Sequence, residues 1–133
     1  MNNPESILQK YWGHRSFRHS QQKVIDEALM GNDVLALLPT GAGKSICFQI
    51  PALSKEGTCI VISPLIALMN DQVSRLKKKG IKAEFISGGM SPKQMDYTLD
   101  NCIYGETKFL YLSPERLNSI FVRERLKRMK INF

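Results

Sequence analysis

The sequence predicts an α/β fold, a parallel sheet flanked by helices. Three observations carry that prediction. Short apolar runs at residues 35–38, 58–62 and 108–112 alternate with segments whose apolar residues recur at helical spacing. The connections are short, as right-handed strand–helix–strand crossovers require. The turns richest in Gly, Ser and Pro each follow an apolar run directly. They therefore fall at the carboxyl ends of parallel strands, where such sheets bind ligands.

Composition sets the bounds. At 133 residues the chain is one domain at most, small for a doubly wound unit. A hydrophobic content of 43% suits a globular chain. No apolar run reaches membrane-spanning length, and Met1-Asn2-Asn3-Pro4-Glu5 is no signal peptide, so no membrane partner is expected. Cys47, Cys59 and Cys102 are odd in number and widely spaced, without a C-x-x-C pair or a His cluster. They point to reduced, buried thiols, no zinc and a cytoplasmic setting. The formal net charge of +7 suggests a polyanionic partner; solubility is the plainer use of so many Lys.

Along the chain, Ile7, Leu8 and Tyr11 share one face of a helix over residues 6–11, ended by Gly13. Residues 12–21 are dense in aromatic, guanidinium and amide groups, which can recognise a base. Taken alone, Trp12 and Phe17 read better as core anchors before a helix. Ser20 caps the next predicted helix, over 21–30, with Val24, Ile25, Ala28 and Leu29 on its apolar face. Gly31-Asn32-Asp33 turns the chain into a strand over 35–38, expected to be buried on both faces.

Pro39-Thr40-Gly41-Ala42-Gly43-Lys44-Ser45 follows that strand. The strict pattern G-x-x-x-x-G-K-[ST] fails only at its first position, Leu38. Gly41 and Gly43 take backbone angles that let their N–H groups line an anion nest, and the following helix aims its positive end there. Lys44 would reach the β- and γ-phosphates of a nucleotide, and the Ser45 hydroxyl would sit on Mg²⁺. The plainer alternative is a Gly-rich turn with an incidental Lys. The helix continues through Cys47, Phe48 and Ile50, with irregularity expected at Pro51.

After the strand at 58–62, Ser63-Pro64-Leu65 opens a helix that carries Gln72 and ends in Arg75, Lys77, Lys78 and Lys79. Ser63 is expected to cap it, and its first-turn N–H groups could hold a nucleic-acid phosphate. A short strand is predicted over 82–86, then a flexible connection at Ser87-Gly88-Gly89, then a helix from Ser91-Pro92 to about Cys102. Beyond the strand at 108–112, Ser113-Pro114-Glu115-Arg116 repeats the strand-Ser-Pro arrangement and would face the same sheet edge. Arg116 is a candidate phosphate contact. Ordinary helix starts also account for both Ser-Pro turns. Arg123, Arg125, Lys127, Arg128 and Lys130 read as a solvated basic face, and residues 131–133 as the opening of another strand. The predicted organisation is N-terminal helices with the base-reading segment over 1–31, and a partial nucleotide-binding domain over 32–133.

Four segments, in order, resemble the amino-terminal part of the RecQ-family DNA helicases of superfamily 2: Phe17 to Gln21 with Gly13 ahead of it, Leu38 to Leu53, Ser63 to Val73, and Tyr111 to Leu117. The resemblance covers nearly the whole chain. It implies a RecA-like P-loop NTPase domain, incomplete here, from an ATP-dependent helicase that unwinds 3′ to 5′ in DNA repair and recombination. It implies ATP and Mg²⁺ as cofactors, single-stranded or partly duplex DNA as partner, and a nucleoid association in a bacterium. Arg18 and Gln21 would contact adenine, and His14 stands where the family often has a stacking tyrosine. His19 and Ser20 replace a usual Pro-Gly. Thr40, Gly41, Ala42, Gly43, Lys44 and Ser45 would hold the phosphates, with Lys44 and Ser45 in catalytic roles. Ser63, Pro64, Leu65, Gln72, Ser113, Pro114, Glu115 and Arg116 would track the DNA strand.

The chain stops before the family's Asp-Glu-Ala-His segment and second motor domain. The expectation is weak ATP binding, no unwinding by this chain alone, and a sheet edge open to self-association. Two other readings of the residues remain: a P-loop NTPase or phosphotransferase unrelated to DNA, and a nucleic-acid-binding module without catalysis.

Overall fold

The computed structural model describes residues 2–18, 20–39 and 43–133. They fall into two compact units, Met1–Glu56 and Gly57–Phe133.

The first unit is helical: α1 (Pro4–Trp12), α2 (Gln21–Leu29) and α3 (Ile46–Ser54). The Asn3 side chain starts α1 by accepting from the N–H groups of Glu5 (2.8 Å) and Ser6 (3.2 Å), with Pro4 in the first turn. Gly13 ends it in the left-handed region at φ 75°, as expected. Ile7, Leu8, Ile25, Ile46 and Ile50 form the core, and Trp12 and Phe17 pack against it. Both rings are therefore anchors, the bland reading of that segment. Ser20 precedes α2 without a side-chain cap bond. Helix α3 runs on through Pro51 to Ser54. A proline there removes the N–H that would bond Cys47, and the Ser54 hydroxyl adds a bond to the Ile50 carbonyl at 3.0 Å.

The strand expected over 35–38 is corrected. Residues 32–39 carry no strand pairing, and Leu35 and Leu37 are 86% and 84% exposed. A run of apolar residues becomes a strand only where a neighbour completes its hydrogen bonds. Among the described residues no strand lies alongside this one.

The second unit holds the sheet. Strands β1 (Cys59–Ile62), β2 (Ala83–Ile86) and β3 (Phe109–Leu112) are all parallel, in the order β1-β3-β2. Helix α4 (Ile66–Lys78) joins β1 to β2, and α5 (Pro92–Tyr104) joins β2 to β3. The chain then forms α6 (Pro114–Leu117) and α7 (Ile120–Leu126), split at Asn118, with Ser119 capping α7. Central β3 is wholly buried, as a parallel strand covered on both faces should be. Ser91-Pro92 starts α5 as expected, and the structure adds a capping box: Ser91 and Gln94 exchange side-chain–backbone bonds. Residues 130–133 run along the outer edge of β1. Thr58 pairs with Ile131, and the Ile60 N–H reaches the Phe133 carbonyl at 3.0 Å. The strand anticipated at 131–133 thus begins, as a parallel bridge to Thr58 ahead of β1.

The core of this unit includes Ile86, Leu99, Leu110, Leu112 and Val122. Arg125 departs from the solvated basic face. Its guanidinium bonds Asp100 (2.6 Å) and Asp96 on α5 and lies over the Phe121 ring, 5.1 Å from its centroid. Its side chain is only 16% exposed, while both carboxylates are about half exposed. Arg125→Ala should therefore destabilise by about 1–2 kcal/mol, between an exposed pair and a buried one, read as a lower urea midpoint.

Cys47, Cys59 and Cys102 are free and buried, as expected. Burial pushes the thiols of Cys59 and Cys102 from 9.0 up to about 12, with Lys108 opposing at Cys59 and the Thr107 bond opposing at Cys102. Because the folded pKa is raised, the stabilisation is complete below the ordinary thiol value. It is lost as pH climbs from about 9 towards 12. Stability should be flat from neutral pH to about 8.5 and fall above it. Both thiols should react with a thiol reagent only after unfolding.

Candidate nucleotide site and strand-binding edge

In the first unit Gly43, from the predicted phosphate loop, meets Gln21 and Arg18, from the predicted base-reading segment. Thr40, Gly41 and Ala42 lie outside the described residues, as does His19. Gly43 adopts φ 71°, a left-handed angle that glycine alone takes without strain. Lys44 is exposed, and half-buried Ser45 directly precedes α3, at the helix's positive end. Gln21 is 1% exposed. Its Oε1 accepts from the Arg18 N–H at 2.7 Å, and its Nε2 donates to the Gly43 carbonyl at 3.0 Å. One amide thus ties the entry of α2 to the phosphate loop. A Cβ on Gly43 would sit 2.4 Å from that Nε2 and 3.4 Å from an Arg18 guanidinium nitrogen. His14 and Arg18 are exposed in the loop before α2. Burial holds the Cys47 thiol, in the first turn of α3, above its ordinary pKa, opposed by a backbone bond.

In the second unit the strand register brings the Ser-Pro turns together. Ile62, Leu112 and Ile86 stand level across the sheet, so Ser63, Ser113 and Ser87 follow in a row at one edge. The Ser63 N–H bonds the Leu112 carbonyl at 3.2 Å. Ser63 does not cap α4. Leu65, in extended conformation, precedes the helix, and the Ser63 hydroxyl instead accepts from the Leu65 N–H at 3.1 Å. Leu65 and Pro64 are exposed. Ser113 does precede its helix, with Pro114 in the first turn and no side-chain cap bond. Pro114 and Glu115 are exposed, while Arg116 reaches back to the Ser87 carbonyl at 2.9 Å. Gln72 accepts the Tyr111 hydroxyl at 2.8 Å. The sequence did not announce the Gln21–Gly43, Arg116–Ser87, Gln72–Tyr111 or Arg125–Asp contacts, each of which joins residues 22 or more apart in the chain.

The model of the DEAD/DEAH box helicase family matches residues 18–132. The ATP-dependent DNA helicase RecQ of Haemophilus influenzae is 46% identical over 118 residues, covering 87% of this chain and 19% of that protein. The probable ATP-dependent DNA helicase RecS of Bacillus subtilis is 40% identical over 129 residues, 96% of this chain and 26% of that protein. The structure of a hypothetical ATP-dependent RNA helicase from Sulfolobus tokodaii superposes with a TM-score of 0.72 at 22% identity, over 98% of this chain and 40% of that one, which supports the RecA-like fold. The chain belongs to the DEAD/DEAH box helicases. Among them its sequence groups with the RecQ helicases, and it spans about a fifth to a quarter of the length of these curated relatives.

The Gly43 geometry yields a test. Gly43→Ala would place a methyl group against the Gln21 amide at an unfavourable φ. It should destabilise by about 1–3 kcal/mol, read in thermal or urea unfolding.

Proposed function

We propose that this chain is the nucleotide- and strand-binding part of an ATP-dependent DNA helicase, with the 3′ to 5′ direction implied by the RecQ resemblance. The observation that carries the nucleotide half is the Gln21 amide, which bonds both the Arg18 backbone and Gly43. A purine held by the base-reading segment and a triphosphate held by the loop would then share one rigid reference. Exposed Arg18 and His14 are the groups offered to the base. Lys44 is offered to the β- and γ-phosphates, and its charge would offset theirs in binding and in transfer. Among the described residues no group of three or more His, Cys, Asp or Glu is gathered for a metal. Mg²⁺ would be held by phosphate oxygens and water, with the Ser45 hydroxyl as this chain's ligand. Mg²⁺ would neutralise charge on the phosphates; Lys44, Ser45 and the first turn of α3 would fix them in place.

The strand half rests on the edge at Ser63, Ser113 and Ser87, with Arg116 beside it. Backbone N–H groups, hydroxyls and one guanidinium suit phosphates rather than base edges. RecQ membership favours this reading over an NTPase unrelated to DNA.

Nucleotide binding tests the proposal, using a fluorescent ATP analogue with Mg²⁺, competed by ATP and by GTP. ATP should compete and GTP should not. Lys44→Ala should weaken binding by about tenfold or more. Binding that is indifferent to Lys44 would remove the phosphate-loop reading.

A further inference from the structure

A cleft of about 600 Å³ opens beside the end of β2 in the second unit, between Ser87, Gly89 and Met90 and the first turns of α5. Lys93, Gln94 and Tyr97 form its helical wall. Gln94 is engaged in the capping box. Lys93 and Tyr97 are one helical turn apart on one face, and neither pairs with another side chain among the described residues. Tyr97 is 70% exposed. A Cβ on Gly88 or Gly89 would meet nothing within 4 Å beyond its own chain neighbours.

The cleft adjoins the edge already described. Ile86 is level with Leu112, so Ser87 is the next strand end after Ser113. Arg116 crosses between them to the Ser87 carbonyl. Two acidic residues on α5, Asp96 and Asp100, would repel a polyanion; Arg125 is bonded to both and offsets one of their two charges. What remains at the wall is an exposed ring with a cation one turn away. An aromatic platform beside a positive charge is the arrangement that holds single-stranded nucleic acid without reading its sequence.

We propose that the cleft between Ser87 and Tyr97 is a further subsite for single-stranded nucleic acid, in which Tyr97 stacks on a base and Lys93 pairs with the adjoining phosphate. It rests on the reading of the Ser63–Ser113 edge as a strand track and lengthens that track past β2.

Fluorescence anisotropy of a labelled oligothymidylate of about twelve nucleotides, titrated with the full 133-residue chain over a range of salt, tests it. Circular dichroism checks that each variant is folded. Tyr97→Ala should weaken binding by about fivefold or more, and Tyr97→Phe, which keeps the ring, should stay within about twofold. Lys93→Gln should reduce the slope of log affinity against log salt by about 0.7, the value for one phosphate contact on a single strand. Arg116→Ala reports on the neighbouring edge. If Arg116→Ala weakens binding while Tyr97→Ala and Lys93→Gln bind like the unsubstituted chain, the subsite is wrong and the strand track stands. If the unsubstituted chain does not bind the oligonucleotide, the track and the subsite fall together.

Discussion

The second unit depends on the bonding of β3 to both neighbours in matching register. Phe109 pairs with Cys59 on one side and Ala83 on the other, and the match continues to Leu112 with Ile62 and Ile86. In a parallel sheet this fixes the strand ends as well as the strands. A slip of one residue would turn buried Leu110 and Leu112 to the opposite face, at the cost of the apolar cluster they share with Leu99 and Val122. The register is pinned at one end by the Thr58 hydroxyl on the Thr107 carbonyl, at 2.7 Å. At the other end, the Ser63 N–H on Leu112 pins it. The level row of Ser63, Ser113 and Ser87 is therefore a consequence of core packing. The same forces that fold the sheet assemble the edge.

The first unit reaches a comparable result without a sheet. Its helices pack around Ile25 and Ile50, and a buried amide, that of Gln21, links the entry of α2 to Gly43. Burying Gln21 without partners would cost on the order of 1–3 kcal/mol, so its contacts with Arg18 and Gly43 are a condition of its burial. They also demand space beside Gly43, which a side chain would fill. Glycine at this position thus serves two ends, the left-handed turn and room for the amide.

What could be read from the sequence follows a physical division. Elements with local signals were legible: Gly13 after α1, Ser91-Pro92 before α5, and the apolar run of β3 each act through residues close in the chain. The Ser-Pro turns were legible as a pair because both follow strands of one parallel sheet. Residues 35–38 misled because apolarity reports a tendency to be covered, while strand formation needs a partner, and the local pattern cannot say whether one is present. Ser63 misled for a related reason. Ser-Pro commonly starts a helix, but here the hydroxyl closes a turn two residues earlier. Arg125 looked like its exposed basic neighbours because its two carboxylates lie 25 and 29 residues away.

The placement of charge bears on how the edge would work. Lys77, Lys78 and Lys79 end α4, and Lys82 precedes β2, so this basic group lies at the amino end of the sheet. The carboxyl edge carries serines, prolines and exposed Leu65, with Arg116 and Lys93 as nearby cations. That group of lysines is therefore set away from the row of strand ends. A strand held there would be gripped by few ionic contacts and by groups that treat all sequences alike. Weak, repeated, sequence-blind contacts are what a protein needs if it is to release one phosphate and take the next. A dense basic patch at the same place would hold the strand more tightly and release it more slowly.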